Sequence, residues 1–550
     1  MNHYNITSLL FAMAAAQPDA LAIALPAAPG KPLPKDGQPV PYHEISFKDL
    51  AYETNCLSRG LLAAGFETGD RVVLMVPPSL AFFTLSFAFL QAGIVPVLID
   101  PGIGIKNLKK CIDETRPTGF IGITKAHVAR ILLGWGRSTI RKKITIGPRL
   151  FWGGKLLRKI KEAGCSDAPM ECFAAQAEDL CGILFTSGST GVPKGVMSTY
   201  GNMYHQVQMI RNTYAMEAGQ IDLPTFPPFA LFNPVIGMSS IIPDMNPTQP
   251  ANVDPERLIR VLQQFKVTSM FGSPALIDRV GRYGAANGVK LPSLKRVLSA
   301  GAPVPAKTMR HFASMLNDST QIFTPYGATE ALPIASIGSH ELLTEEIQQR
   351  TNNGGGVCIG KPVAELEAEI IRISDDPIAN WSDDLKLGAE EVGEIVVKGK
   401  NVTQAYFNRD EATQLAKIKD QGRYWHRMGD LGYKDQQGRL WFCGRKAHRV
   451  ILANKELYSV QCESVFNAHP QVHRTALVGV RGKAVLCVEI DKEADEVNVE
   501  HLKKELLTWA AENELTKDIQ RILFHPSFPV DIRHNAKIFR EKLAVWAAKE

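Results

Sequence analysis

The chain has 550 residues, 45% of them hydrophobic and 21% charged, which is the composition of a globular protein with enough length for several hydrophobic cores. Its nine cysteines are scattered and none stands in a Cys-x-x-Cys pair, so the sequence argues against a disulfide framework and against a zinc site. The net charge of +6 is a local effect. The segment from Lys125 to Lys161 holds eleven basic residues and no acidic one, whereas the remainder has 51 basic against 56 acidic residues.

The N-terminal part of the chain gives no sign of a targeting or membrane-spanning segment. The first twenty residues lack the basic start and apolar core of a signal peptide. The longest apolar stretch, Leu80 to Ile99, is interrupted by Gln91, Gly93 and Pro96, and we interpret it as a buried helix that runs into a strand. We therefore expect a cytoplasmic protein.

Short β-rich runs alternate with longer helical patterns through the first 300 residues, which predicts an α/β architecture with mostly parallel sheets. Helices are expected at Leu80 to Ala92 and Pro255 to Phe265. The predicted strands, apolar enough to be buried on both faces, are Val72 to Val76, Ile94 to Ile99, Gly119 to Ile123, Gly182 to Phe185, Ser269 to Phe271 and Arg296 to Leu298.

The basic segment from Lys125 to Lys161 has two interpretations. Apolar residues interleave with its charges, a pattern that is typical of a surface for the inner membrane or for an acidic protein partner. The alternative is the solvated face of an inserted helical hairpin. Nucleic acid is not an expected partner, because the segment lacks a recognisable binding module. The interleaved residues are Leu132, Leu133, Trp135, Leu150, Phe151, Trp152, Leu156 and Leu157.

After about residue 385 the pattern changes to segments separated by turn-formers, which predicts β-hairpins near Gly393 to Lys398 and Gly438 to Phe442. From about residue 446 a compact pattern follows, with strands near Thr475 to Val480 and Ala484 to Ile490 and a helix from Val499 to Asn513. The sequence therefore predicts two domains, residues 1–445 and residues 446–550.

The most informative stretch runs from Ile183 to Gly195, where a buried strand leads into a loop of hydroxyl and glycine residues that ends in Pro193-Lys194-Gly195. Backbone N–H groups and hydroxyls of such a loop can surround phosphate oxygens, and Lys194 can neutralise charge. The spacing is not that of the G-x-x-x-x-G-K-[ST] nucleotide loop. The candidate phosphate-binding residues are Thr186, Ser187, Gly188, Ser189, Thr190 and Gly191.

With five further stretches in matching order, the chain resembles the adenylate-forming superfamily over nearly its whole length. That resemblance implies ATP and Mg²⁺ as cofactors. It also implies a large N-terminal adenylating domain of mostly parallel sheets with a β-barrel-like part, followed by a small mobile α+β C-terminal domain. The five stretches are Ser299 to Pro303, Tyr326 to Glu330, Tyr424 to Asp430, Gly444-Arg445 and Asn535 to Lys537.

The resemblance also implies a role for each matching residue. Lys537 bridges the α-phosphate and the substrate carboxylate, and Thr329 contacts the α-phosphate. Glu330 holds Mg²⁺, and Asp430 accepts hydrogen bonds from the ribose hydroxyls. Arg445 reaches the ribose or the phosphate. Adenine is implied to lie against residues of two loops, namely Gly301, Ala302, Pro303, Tyr326 and Gly327.

The chemistry agrees with these implied roles. Carboxylate attack on the α-phosphorus builds negative charge on the phosphate oxygens, so Lys537, Lys194 and a Mg²⁺ held by Glu330 would stabilise the transition state more than the ground state.

The sequence departs from the acyl-CoA synthetase pattern at three places. Ala447 stands at the hinge position, and Asn454 replaces the glycine that lets pantetheine approach. Near Ala230, within the apolar run Phe226 to Asn233, the gating histidine is absent. The first two changes argue against thioester formation, although Asn can adopt the left-handed backbone that Gly uses. The apolar run suits a fatty substrate.

With these departures, the stretches Pro243 to Thr248 and His534 to Leu543 resemble the olefin β-lactone synthetases of bacterial long-chain hydrocarbon biosynthesis. The resemblance implies a long-chain 2-alkyl-3-hydroxy acid as substrate, activated as its adenylate and closed by its own 3-hydroxyl to a β-lactone. It further implies assembly with other enzymes of the olefin pathway. His205, Asp244 and His448 remain open as candidates for the general base.

Two alternatives remain, a related enzyme and a protein of a different class. A long-chain acyl-CoA synthetase shares the adenylation step and needs CoA. A catalytically silent binding protein of the same fold is disfavoured by the intact set of Lys194, Glu330, Asp430, Arg445 and Lys537.

Overall fold

The computed structural model describes residues 4–35, 37–168, 170–186, 193–491, 497–531 and 537–550. Four short helices span Phe232–Ile236, Ser339–Leu342, Glu345–Arg350 and Asp410–Ala416. The longer helices span Thr7–Ala16, Phe47–Ala63, Leu80–Ala92, Ile105–Thr115, Thr124–Leu132, Leu157–Gly164, Tyr200–Thr213, Pro255–Gln264, Pro274–Ala286, Ala306–Ala313, Ser459–Asn467, Val499–Glu512 and Arg540–Ala547.

A seven-stranded sheet carries the strand that leads into the candidate phosphate loop. Neighbouring strands are parallel, as the continuous apolar runs predicted, except for the antiparallel pair at the edge that flanks the loop. In spatial order the strands are Lys155–Leu156, Lys142–Ile146, Gly119–Ile123, Arg71–Met75, Val95–Ile99, Leu180–Thr186 and Lys194–Thr199.

A fourteen-stranded sheet combines a parallel half and an antiparallel half. In the order of pairing, its strands are Leu366–Ile371, Gly393–Gly399, Arg423–Lys434, Leu440–Arg445, Val357–Pro362, Ala331–Gly338, Gln321–Ala328, Arg296–Ser299, Ser269–Gly272, Ile221–Pro224, Ser239–Ile241, Leu21–Pro26 and Tyr42–Ser46, and Lys417–Asp420 pairs beside Arg423–Lys434. Among the described residues these pairings do not close into a ring, so the barrel-like part is the open antiparallel end of a sheet.

The two large sheets meet beside the phosphate loop. Residues 405–407 form bridges with the edge strand Lys194–Thr199, where Phe407 N–H donates to the Gly195 carbonyl (2.8 Å) and Met197 N–H donates to the Ala405 carbonyl (3.2 Å). This contact joins the end of the phosphate loop to the antiparallel half of the larger sheet.

The predicted helix Leu80–Ala92 has the predicted bounds because local chemistry defines both ends. Ser79 caps its start by accepting a hydrogen bond from Phe82 N–H, and Gly93 ends it with a left-handed φ of 71°. Nearly every side chain between them is buried, as expected for a helix covered on all sides. No helix in the described part of the chain is long and apolar enough to cross a membrane.

The C-terminal residues form sheets and cores of their own. Two strands, Val450–Ile451 and Glu456–Leu457, pair with each other, and a separate sheet contains Val472–Val480, Lys483–Ile490 and Arg521–Phe524. Two hydrophobic clusters are built from buried residues between Val450 and Ala547. The domain boundary between residues 445 and 446 stays a prediction that these features favour.

The helical-hairpin interpretation of the segment Lys125 to Lys161 is wrong, because the segment adds the strands Lys142–Ile146 and Lys155–Leu156 to the seven-stranded sheet. The expected apolar surface is also smaller than its sequence indicated. Trp135 and Trp152 are buried, whereas Leu132, Leu150 and Phe151 are exposed.

Candidate active site

The stretch Tyr326 to Glu330 lies at a hairpin in the larger sheet. Tyr326 and Gly327 end the strand Gln321–Ala328, and Thr329 and Glu330 form the turn into Ala331–Gly338. A side chain at Gly327 would place its Cβ 2.7 Å from the carbonyl oxygen of Ala331, so only glycine allows the two strands to come this close. The hairpin thus presents an exposed threonine and a half-buried glutamate side by side.

Asp430 contacts both this hairpin and the end of the strand Leu440–Arg445. It faces Arg445 across the antiparallel pair Arg423–Lys434 and Leu440–Arg445, and its Oδ1 lies 3.1 Å from Arg445 Nε. The Tyr326 hydroxyl donates to Asp430 Oδ2 at 2.5 Å. Three of the residues that sequence assigned to the nucleotide are therefore in direct contact.

Asp430 has the features required of a ribose acceptor. It is 2% exposed, and its Oδ1 accepts no hydrogen bond from any described residue. Burial raises the pKa of this carboxyl, while the charge of Arg445 and the hydrogen bond from Tyr326 lower it. Oδ1 keeps acceptor capacity beside its ion pair with Arg445, and the ribose-binding role of Asp430 stays a prediction.

Lys194, the lysine of the candidate phosphate loop, is held beside Glu330 through Tyr406. Its ammonium lies 5.1 Å from the centre of the Tyr406 ring, and the Tyr406 hydroxyl donates to Glu330 Oε1 at 2.8 Å. Thr186 ends the strand Leu180–Thr186 in register with Lys194. The other predicted loop residues, Ser187, Gly188, Ser189, Thr190 and Gly191, lie outside the described residues.

The residues around Glu330 fit a magnesium ion only together with a bound nucleotide. The described residues contain no group of three His, Cys, Asp or Glu side chains that could hold a metal by themselves. Mg²⁺ in nucleotide sites is bound by one or two carboxylates together with substrate phosphates and water. A single glutamate beside a phosphate-binding lysine has that chemistry.

The predicted adenine loop follows the strand Arg296–Ser299. Gly301 and Pro303 are exposed and Ala302 is half-buried, so the loop has an accessible face. The parallel strand pairing places Leu298 beside Phe323 on the strand that continues to Tyr326. The adenine-binding roles of these three loop residues remain predictions.

Lys537 comes from the C-terminal sheet region and lies in the electrostatic field of the same site. Burial and the charge of Arg445 lower the pKa of its ammonium, whereas Asp430 and Asp531 act in the opposite direction. The preceding residues of the predicted motif, Asn535 and Ala536, lie outside the described residues. Lys537 and Arg445 thus bring two cations toward Asp430 from different parts of the chain.

His448 is the one of the three general-base candidates that stands among these charges. It ends the short helix Lys446–His448, which directly follows Arg445. Burial and the positive charges of Arg540, Arg445 and Lys537 lower the pKa of its imidazole to about 4, so the ring is neutral at physiological pH.

The other two candidates have different surroundings. Asp244 forms an ion pair with Arg257 at 2.8 Å and accepts a hydrogen bond from Gly30 N–H, which are structural contacts. His205 packs against Tyr4 and Tyr204 in a separate cavity.

The apolar run Phe226 to Asn233 forms an aromatic cluster where acyl-CoA synthetases have their gating histidine. The Phe229 ring makes an edge contact with Phe271 (4.8 Å between centroids) and with Phe226 (5.1 Å). Asn233 donates to the buried Asp222 at 2.9 Å. The surface offered to a substrate here is aromatic and apolar.

Sequence reasoning missed Tyr406, Lys417 and His426. Lys417 is buried, donates to the Thr403 carbonyl, and has its pKa lowered by burial to about 7. His426 lies opposite it on the next strand and is held neutral by burial. Tyr406 and Lys417 lie in no predicted motif, and His426 lies within the stretch Tyr424 to Asp430 without an assigned role. The surroundings of Tyr406 depend on its bridge to Val196, and those of Lys417 on strand pairing within the larger sheet.

Residues 11–407 match the family model described as AMP-binding enzyme. The chain belongs to this family. It is therefore an AMP-forming ligase that uses ATP.

The relatives extend the similarity over the whole chain. The olefin β-lactone synthetase of Stenotrophomonas maltophilia (strain K279a) is 47% identical over 99% of this chain and 98% of its own length. The enzyme of the same name from Xanthomonas campestris pv. campestris is 45% identical with the same coverage.

Solved structures show the same fold at low sequence identity. The amide bond synthetase McbA from Marinactinospora thermotolerans superposes with a TM-score of 0.79 at 20% identity and covers 98% of this chain and 99% of its own. ATP-bound MatB from Rhodopseudomonas palustris superposes with a TM-score of 0.78 at 19% identity, and the match covers 100% of this chain and 99% of its own.

Proposed function

We propose that this enzyme converts a long-chain 2-alkyl-3-hydroxy acid and ATP into a β-lactone, AMP and pyrophosphate, as a step of olefin biosynthesis. The observation that carries the proposal is the contact of Asp430 with Arg445, three residues before His448, in a chain that lacks the thioester features of acyl-CoA synthetases. The names of the two relatives with 45–47% identity support the same reaction.

In the first half-reaction the substrate carboxylate oxygen attacks the α-phosphorus and pyrophosphate leaves. Asp430 orients the ribose, while Arg445 and Lys537 neutralise the charge that develops on the α-phosphate oxygens. Lys194 neutralises the departing pyrophosphate. A Mg²⁺ ion held by Glu330 and the phosphates would supply further neutralisation when bound.

In the second half-reaction the 3-hydroxyl oxygen attacks the acyl carbon of the adenylate. The bond between that carbon and the phosphate oxygen breaks, AMP leaves with the electron pair, and the hydroxyl proton passes to a base. The nucleophile is tethered to the electrophile, so its effective concentration reaches about 10⁵ M or more in a well-oriented site. No second substrate has to enter.

His448 is the best candidate for that base. It is neutral, it lies three residues after Arg445 in the chain, and the three cations that act on it include Lys537. The anionic phosphate of the adenylate, bound between Arg445 and Lys537, offsets those cations and raises the proton affinity of the imidazole. The proton can then leave on His448 as AMP departs.

An acyl-CoA synthetase is the second candidate, because it shares the first half-reaction. Asn454 and Ala447 argue against it, since the residues that differ all belong to the thioester step. We further propose that the enzyme acts in the cytoplasm, in association with other olefin-pathway enzymes.

The deciding experiment offers the enzyme and ATP a 2-alkyl-3-hydroxy acid or its 3-deoxy analogue, each with and without CoA. We expect mass spectrometry to find the hydroxy acid minus one water with AMP in equal amount. The 3-deoxy analogue should stall as the bound adenylate. A CoA-dependent thioester from either acid would replace this proposal by the acyl-CoA synthetase.

A further inference from the structure

A cavity of about 560 Å³ lies away from the adenylation site, between the helix Phe47–Ala63 and the seven-stranded sheet. Three strands separate the cavity strand Lys142–Ile146 from the phosphate-loop strand Leu180–Thr186, a span of about 19 Å at the usual strand spacing. Its walls are mainly aliphatic, formed by Leu57, Leu80, Ala81, Ile146, Leu156 and Leu157.

The cavity opens at the edge of the sheet where α/β proteins bind ligands. Leu80 and Ala81 follow the carboxyl end of the strand Arg71–Met75, and Gly147 follows the carboxyl end of Lys142–Ile146. Ligands of open parallel sheets bind outside the carboxyl ends of the strands. The volume lies within the range of about 300–1,000 Å³ that small-molecule sites occupy.

The charged residues that line the cavity carry a net positive charge. Lys161 forms an ion pair with Glu53, which also lines the cavity, and Arg158 is exposed. Both basic residues belong to the segment Lys125 to Lys161, with its eleven basic residues and no acidic one. A ligand that enters this cavity with a negative head group would meet complementary charge.

Exposed apolar side chains stand next to that rim. Leu150 is 51% exposed and Phe151 is 82% exposed, and both lie in the loop that connects the two cavity-lining stretches at Gly147 and Leu156. Aromatic and aliphatic residues among cations are typical of a surface that enters the interface of an anionic bilayer.

We propose that this cavity takes one acyl chain of an anionic membrane phospholipid, with the head group held by the basic rim and the Leu150–Phe151 loop in the interface. The site is independent of the lactone chemistry. Binding at this site would hold the enzyme at the membrane, where the apolar substrate and product of the proposed reaction partition.

Trp152 provides a signal from beside the cavity, since its indole N–H donates to Thr145 Oγ1 at 2.9 Å and Thr145 lines the cavity. The enzyme is mixed with vesicles of phosphatidylglycerol brominated on one acyl chain, or with brominated phosphatidylcholine. We expect quenching of tryptophan fluorescence by the first and not by the second. In a Trp152→Phe variant the quenched component should be lost while binding persists.

Ala81→Phe tests the cavity itself, because the added ring occupies chain volume without altering charge. If the ring excludes two methylene groups of the lipid acyl chain from the cavity, vesicle binding should weaken about tenfold and the quenching should be abolished. Arg158→Gln should weaken binding at low salt, whereas Lys504→Gln, on a C-terminal helix, should leave it unchanged. ATP–pyrophosphate exchange at the wild-type rate would show that each variant is folded.

Two results would overturn the proposal. One is wild-type binding and quenching in the Ala81→Phe variant, which would mean that the chain does not enter the cavity. The other is quenching by a brominated free fatty acid without any by phosphatidylglycerol vesicles, which would make the ligand a soluble carboxylate.

Discussion

Asp430 and Lys537 are both withdrawn from bulk water, and burial acts on them in opposite ways. It raises the pKa of the carboxyl and lowers that of the ammonium, because burial disfavours the charged form of each group. In the proposed binding mode the nucleotide phosphate would pair with the cations and the ribose with the carboxylate, which would offset the cost of burying both groups.

Lys537→Ala should lower the rate of adenylate formation about 10²–10³-fold, because it removes one group that stabilises developing charge on the α-phosphate. ATP binding should stay close to normal. The measurement is pyrophosphate release under single-turnover conditions. Lys542→Ala, five residues later and exposed, is the matched control. Equal rates in the two variants would show that Lys537 takes no part in adenylation.

Asp430→Ala should raise KM for ATP about 10–100-fold with a smaller change in kcat, because a ribose contact made equally in the ground and transition states acts on binding. Steady-state kinetics with varied ATP give both constants. Tyr326→Phe removes only the donor to Oδ2 and should have a smaller effect of the same kind. The assignment fails when turnover collapses at an unchanged KM.

His448→Gln should separate the two half-reactions. ATP–pyrophosphate exchange should persist, whereas lactone release should slow by about 10²–10⁴-fold, the usual contribution of a general base. His205→Gln controls for the loss of a histidine elsewhere. Lactone release at the wild-type rate by the His448 variant would assign the proton to another group, without affecting the identity of the product.

At the scale of elements, the sequence predicted what local chemistry determines. The strand ending at Thr186 and the helix Leu80–Ala92 follow from apolar runs with clear caps and turns. The sequence did not predict how strands far apart in the chain would pair. Two features depend on pairing between distant strands. They are the open end of the larger sheet and the strands within the basic segment Lys125 to Lys161.

The same distinction applies to the candidate site. Ordered motifs allowed Glu330, Asp430 and Arg445 to be proposed from sequence, and the structure brings Asp430 and Arg445 into contact. Tyr406 and Lys417 carry no such motif. The position of Tyr406 depends on its bridge to Val196, more than 200 residues earlier, and that of Lys417 on the pairing of its strand with Arg423–Lys434.

Lys417 makes a testable contribution to the stability of the strand Lys417–Asp420. Its pKa falls from 10.5 to about 7 on burial, so between these values the unfolded protein binds more protons and stability rises with pH. Lys417→Met removes this pH dependence, and the variant should have a larger free energy of unfolding than the wild type at pH 7. That difference should shrink by about 1.4 kcal/mol per pH unit between pH 7 and 8.5, because the wild type gains stability as the pH rises.

Denaturant unfolding at both pH values measures that difference. Lys419→Met, two residues along the same strand and exposed, is the control and should show no pH-dependent difference from the wild type. A constant difference for Lys417→Met would mean that Lys417 is protonated in the folded protein at pH 7 and above.

At the scale of the whole molecule, the C-terminal residues pack against the rest of the chain on the side of Arg445. Asn513 donates to the Asn353 carbonyl at 3.3 Å, and Lys307 lies 3.8 Å from Asp491. A side chain at Gly354 would meet Leu515, which shows how closely the two parts approach. The proposed role of Lys537 in adenylation belongs to this arrangement of the two parts.

This arrangement should also suffice for the second half-reaction if the nucleophile is part of the substrate. A thioester-forming relative must open its active site to pantetheine, whereas a tethered 3-hydroxyl needs no new entrance. Asn353→Cys and Asn513→Cys, joined by a short bis-maleimide in a Cys165→Ser background that removes the exposed native thiol, would hold the two parts together. The crosslinked enzyme should release lactone at the rate of the uncrosslinked variant. Accumulation of the acyl-adenylate after crosslinking would show that ring closure requires the C-terminal residues to move.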